Sequence, residues 1–209
     1  MPHVSPGSVL CVLLPLDEPA GELSLGEGSL LEHAVALMRA AVPGCVVITA
    51  PLGPDLAYLV DSAGAELVVV HDPTFPFVSV EQIRSVQAAA DATDMAAVLV
   101  TAVTDTLKQV AEDDRVLATV DRASFQALLG PLVVTPPVLS ATLAAVRVDP
   151  APEGRLAALV EALGRLVGVS RVILDEPGAA ACRVSSADDL RYAEALLASN
   201  ASARVASAG

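Results

Sequence analysis

Short β-branched runs alternate with stretches of helical spacing along most of the chain. Ser8–Leu14 is an unbroken apolar run of strand length. Gly28–Ala41 then places Leu30, Leu31, Ala34, Val35 and Met38 on one helical face. Ser29 and Glu32 form a capping-box signature, in which each side chain satisfies a free backbone N–H of the first turn. Cys45–Thr49 reads as a second strand, Pro54–Ala63 as a helix stopped by Gly64, and Glu66–Val70 as a third strand. Ser79–Ala92 is a helix with Ser79 and Gln82 as another capping box, and Ala96–Val103 is a fourth strand.

The strands are nearly pure Val, Leu, Ile and Ala rather than in/out alternations. Such runs are buried on both faces. Strand–helix alternation of this kind implies parallel pairing through right-handed crossovers. The pattern therefore predicts a three-layer α/β/α sandwich with a mostly parallel central sheet. Thr104–Val110 and Arg115–Val120, joined by the acidic turn Ala111–Asp114, read as a hairpin projecting from the body. Pro136–Val146 and Gly154–Val167 have helical patterns, Arg171–Asp175 is a further strand, and Ser185–Ser199 is a last helix. No repeat or linker divides the chain. One domain over residues 1–199 is expected, followed by a frayed tail at 200–209.

Composition narrows the function classes. Of 209 residues, 12 are basic and 25 acidic, so the formal charge is −13. A surface this acidic excludes a general nucleic-acid binder, which needs cations for phosphates. No stretch approaches the ~20 apolar residues of a membrane span. The run Val9–Leu16 lacks the positive residues that precede a signal-peptide core. Cys11, Cys45 and Cys182 stand alone in apolar surroundings and match no disulfide or zinc spacing. They read as buried thiols in a reducing compartment, which places the expected location in the cytoplasm.

Chemistry in open α/β sheets gathers beyond the carboxyl ends of the strands. After the first strand comes Pro15-Leu16-Asp17-Glu18-Pro19-Ala20-Gly21-Glu22, with three acids and no basic residue before Arg39. This is no phosphate cradle, which needs exposed N–H groups and cations. Asp17, Glu18 and Glu22 read as a solvated acidic loop, with a bridging divalent ion as the alternative. After the third strand, His71-Asp72-Pro73 offers a carboxylate that either forms a turn or serves as a metal or hydroxyl ligand. His71 reads as structural. Thr104-Asp105-Thr106-Leu107-Lys108 and Thr119-Val120-Asp121-Arg122 bring Lys108 and Arg122 to the hairpin. Arg122 beside Asp121 is either a phosphate anchor or half of a local ion pair.

These segments, in this order, resemble the 2-C-methyl-D-erythritol 4-phosphate cytidylyltransferase family. The matching pieces are Leu31-Glu32-His33-Ala34-Val35, then Val70-His71-Asp72 followed by Pro76, then Val103–Lys108 and Thr119–Arg122. Thr135-Pro136, Arg183-Val184-Ser185, Asp188-Asp189-Leu190 and Ala193–Leu197 complete the series. The resemblance implies a Rossmann-like nucleotidyltransferase fold of the nucleotide-diphospho-sugar transferase type. It implies transfer of cytidylyl from CTP, with magnesium, onto methylerythritol phosphate, releasing pyrophosphate. It also implies a homodimer in which an arm, here 104–122, enters the partner's site. By the same resemblance Thr106, Lys108 and Arg122 would bind the sugar phosphate. Asp72 would lie near it and the metal. Arg183 would take the place of a lysine acting near the reacting phosphates.

The departures weigh most heavily on the CTP side. Residues 15–28, where the family has its glycine-rich cradle, contain neither Lys nor Arg. Pro73-Thr74-Phe75 stands where the family has Ala-Ala-Arg, and only 21 residues separate Thr49 from His71, too few for the family's nucleotide-contacting segment. Losing one transition-state cation costs roughly 10²–10³-fold in rate, and several are missing here. The expectation is a non-catalytic relative that homodimerises, pairs with an active paralogue, or binds a phosphorylated metabolite. The alternatives are an active nucleotidyltransferase with a rebuilt loop, and an unrelated small α/β binding protein.

Overall fold

The computed structural model describes residues 8–93, 95–145 and 155–207. Six strands form the central sheet: β1 (Val9–Leu13), β4 (Val46–Thr49), β5 (Leu67–His71), β6 (Ala96–Ala102), β9 (Gln126–Val134) and β10 (Ser170–Leu174). Their order is β10-β6-β9-β5-β1-β4. Every pairing is parallel except those of β9, which runs antiparallel between β5 and β6. Among the described residues there are six α-helices: α1 (Leu30–Ala41), α2 (Pro54–Ala63), α3 (Val80–Asp91), α4 (Pro136–Ala145), α5 (Arg155–Leu166) and α6 (Ala187–Ser207).

Alternation along the strands builds two cores from one apolar sheet. Leu10, Val12, Val68, Val70, Val98 and Leu132 face α2, α4 and α5, and meet Leu56, Val60, Leu139, Leu143, Leu159 and Leu163. Cys11, Leu13, Val69, Leu99 and Val133 face α1 and α3, and meet Ala34, Met38, Ile83 and Val86. This is the expected three-layer sandwich. Both capping boxes are formed: Ser29 N donates to Glu32 Oε2 at 2.8 Å, and Ser79 N to Gln82 Oε1 at 2.8 Å. Gly64 ends α2 in the left-handed conformation, φ +70°.

Two expectations change. Residues 126–134, left without a strand by the apolar pattern, form β9 in the middle of the sheet. Gly130-Pro131 interrupts that run and reads as a turn. In the structure the pair lies in a bulge: Val98 faces Leu132 but Val100 faces Leu128. A bulge is one of the few places where a strand accepts Pro. The last helix continues through Ser207, so most of the expected frayed tail is helical. The ends placed at Val146 and Gly154 lie outside the described residues.

The hairpin forms a separate two-stranded sheet, β7 (Leu107–Val110) with β8 (Val116–Val120). Its turn closes through Ala111 N donating to Arg115 O at 2.9 Å, with Asp114 at φ +61°. The β1–α1 connection is not a bare loop either. It carries a short 3₁₀ turn at Ala20–Glu22 and a two-residue ladder, β2 (Ser24–Leu25) with β3 (Gly28–Ser29).

Candidate functional site

The carboxyl ends of β1 and β5 lie side by side, since Leu14 N donates to His71 O at 2.9 Å. Beyond them a cavity of about 120 Å³ is lined by Leu14–Ala20, Asp72, Thr74, Arg155, Arg183 and Ser185. Asp72 closes its own turn: Oδ1 accepts from Thr74 N at 2.9 Å and from Thr74 Oγ1 at 2.8 Å. Asp72 thus forms the expected turn, and that turn is also a wall of the cavity. Thr74 Oγ1 in turn accepts from Arg183 Nε at 3.3 Å. Val184 N donates to Thr74 O at 2.7 Å, which pins the segment before α6 to the Asp72 turn. Asp189 fixes the far end of that segment by accepting from Ser185 N, Ser185 Oγ and Ser186 N, all at 3.0 Å. Those bonds favour the ionised form, the Ser185 backbone bond foremost, and hold the Asp189 carboxyl below its usual range.

The acidic loop receives a cation that its own sequence lacks. Arg155, at the start of α5, donates through Nη1 to Pro15 O at 3.2 Å. Its Nη2 lies 3.1 Å from Asp17 Oδ1 and 3.0 Å from Oδ2. The Arg155 side chain is 14% exposed and that of Asp17 44%. Arg155 carries no signal in the sequence, because the contact spans 138 positions. Thr74 is legible there only as the third residue of an Asp-Pro turn.

His71, beside Asp72, is fully buried, and neither ring nitrogen has a partner among the described residues. Burial pushes its pKa down from 6.5 to about 4, against a smaller opposing pull from Asp72. The ring is neutral at physiological pH and serves as packing, in line with the structural role expected of it.

Thr106, Lys108 and Arg122 do not line this cavity. They sit on the exposed arm and the turn after it. Arg122 Nη1 donates to Thr104 O, and Lys108 Nζ to Thr119 Oγ1. Asp121 does not hold Arg122. Its carboxylate accepts from Ala123 N at 3.0 Å and caps the short turn Arg122–Ser124. The structure thus brings Asp72 and Arg183 together and keeps the three arm residues apart from them.

Among the described residues no cluster of three or more carboxylate, imidazole or thiol groups could cage a metal. Magnesium rarely needs one, because one or two carboxylates with substrate phosphates suffice. The residues fit it only in that substrate-borne form. Asp72 would be its protein ligand, with Glu18 in the same wall. The ion would neutralise phosphate charge when bound.

The sequence profile of the 2-C-methyl-D-erythritol 4-phosphate cytidylyltransferases matches residues 55–199. Among solved structures, the 2-C-methyl-D-erythritol 4-phosphate cytidylyltransferase of Thermus thermophilus is 30% identical. The match covers 89% of this chain and 97% of that one, with a TM-score of 0.67. The 4-diphosphocytidyl-2C-methyl-D-erythritol synthase of Anaerococcus prevotii shares the fold at 16% identity and TM-score 0.65, over 90% and 97% of the two chains. A second synthase of that description does so at 17% identity and TM-score 0.68, over 91% and 99%. Among the described residues no helix is long and apolar enough to cross a membrane.

Proposed function

The chain belongs to the 2-C-methyl-D-erythritol 4-phosphate cytidylyltransferase family of isoprenoid biosynthesis, and from that premise we propose that it is a member that has lost cytidylyl transfer and binds a small phosphorylated metabolite as a dimer. The cavity carries this reading. At about 120 Å³ it falls below the ~300–1,000 Å³ of pockets that take drug-sized ligands, and a nucleoside triphosphate is at least that large. The loop over it supplies carboxylates where a triphosphate needs cations. The one cation that reaches the loop among the described residues, Arg155, is already paired with Asp17. Arg183 is the guanidinium left to meet a phosphate, and Asp72 beside it suits a hydroxyl or a phosphate-borne magnesium.

The arm supports the dimer. Val110, Val116 and Leu117 are 50%, 59% and 50% exposed. A lone two-stranded ribbon is marginal in water, so these side chains call for a cover. A second copy of the chain, or an active paralogue, would provide it and would receive Thr106, Lys108 and Arg122. Such a protein would work in the cytoplasm, where its three thiols stay reduced.

Calorimetric titration of CTP with magnesium, beside a pyrophosphate-release assay with methylerythritol phosphate, tests the reading. The expected result is no CTP binding up to millimolar concentration and no release. Micromolar CTP binding with turnover would overturn it. One observation favours that second reading, an active cytidylyltransferase: Arg155 delivers a guanidinium to the loop where the triphosphate would lie.

A further inference from the structure

Arg155 and Asp17 are unequally buried partners. The Arg155 side chain is 14% exposed, while Asp17 keeps 44% of its surface in water. A guanidinium so placed needs an anion at all times, because an unpaired charge out of water is costly. The carboxylate can leave cheaply, since solvent takes it back. A phosphate oxygen accepts as a carboxylate oxygen does and the group carries more charge, so it can replace Asp17 on Arg155 Nη2, which lies 3.1 and 3.0 Å from the two carboxylate oxygens. The bond from Arg155 Nη1 to Pro15 O, at 3.2 Å, holds the guanidinium at the cavity wall whichever anion it faces. Arg183 lines the same cavity. Its Nε is taken by a neutral hydroxyl.

We propose that Asp17 is a built-in competitor occupying a phosphate subsite, and that Arg155 exchanges it for the ligand's phosphate when a metabolite binds. The inference rests on the reading of this cavity as a phosphate site and adds the residue that completes it. Two arginines, Arg155 and Arg183, then close on one anion. Asp17 lowers the affinity of the free site in the manner of any competing ground state.

The test is titration of inorganic pyrophosphate into the full chain in metal-free buffer, with thermal melts as a folding control. Arg155→Ala should weaken binding by on the order of tenfold or more. Arg155→Lys should recover part of that loss, as a point charge that cannot also hold Pro15 O through a second nitrogen. Asp17→Asn should tighten binding by roughly 5–10-fold. That gain should vanish in the Asp17→Asn/Arg155→Ala double variant, which separates exchange from a general loss of negative charge. If Asp17→Asn weakens binding as Arg155→Ala does, the pair is a static tether of the loop. The exchange is then overturned and the phosphate site stands. If the gain survives without Arg155, the exchange is likewise overturned. If neither the wild type nor Asp17→Asn binds pyrophosphate at millimolar concentration, both the exchange and the site beneath it fall.

Discussion

Arg183 reaches Asp72 only through a hydroxyl: its Nε donates to Thr74 Oγ1 at 3.3 Å, and that oxygen donates to Asp72 Oδ1 at 2.8 Å. Thr74 is 5% exposed, so water cannot easily replace it. Thr74→Val keeps the shape and removes the bridge. The expected cost is about 1 kcal/mol of stability, read from urea unfolding. Pyrophosphate affinity should fall roughly fivefold or more as Arg183 loses its orientation, while Thr74→Ser should restore it. A Thr74→Val variant with unchanged affinity would show that Arg183 is positioned by its backbone alone.

The pair His71–Asp72 predicts an acid-sensitive core. The folded imidazole titrates near 4 and the unfolded one near 6.5. Between those values the unfolded state binds more protons. Stability contributed by the neutral ring is therefore complete above pH 6.5 and is lost as pH falls toward 4. At about 1.4 kcal/mol per pH unit, the loss reaches about 3 kcal/mol. Urea unfolding from about pH 7 to about pH 4.5 should show this slope in the wild type and a shallower one in His71→Leu. Equal slopes would mean that the ring finds a proton partner when folded.

Legibility in the sequence follows range. The helices with capping boxes at Ser29 and Ser79 are readable because their signals lie within four residues. The parallel strands are readable because burial on both faces leaves unbroken apolar runs. Asp72 is legible as the carboxylate that follows an apolar strand, whereas Arg183 is singled out only by the resemblance to the family. β9 is not legible, because Gly130-Pro131 is a local turn signal that only the tertiary bulge overrides. Arg155 is invisible for a stronger reason: nothing within its own helix shows that it neutralises a loop near the opposite end of the chain.

Gly130 tests that bulge. It sits at φ +56°, where an added Cβ would lie 3.2 Å from Leu156 Cδ2 and 3.7 Å from His71 Nδ1. The left-handed conformation costs a residue with a Cβ roughly 1–2 kcal/mol, and the Leu156 side chain would have to give by a few tenths of an ångström. Gly130→Ala should lose about 1–2 kcal/mol in urea unfolding. A neutral substitution would mean that the strand relaxes to a regular register.

The arm predicts the quaternary state. Val116 and Leu117 point to opposite faces of β8, yet both are at least half exposed, so neither face of the ribbon rests on its own domain. Replacing them with Val116→Thr and Leu117→Lys removes apolar surface without disturbing the core. Exposed substitutions of this kind move stability by within about 0.5 kcal/mol. Light scattering at low micromolar concentration should give a dimer for the wild type and a monomer for the double variant, with the melting temperature of the folded domain nearly unchanged. A chain at net charge −13 repels its own copies, so association should also strengthen with added salt, which screens that repulsion. A wild type that is monomeric at every salt concentration would leave the arm's apolar surface for a different chain. The active paralogue would then be the partner to test.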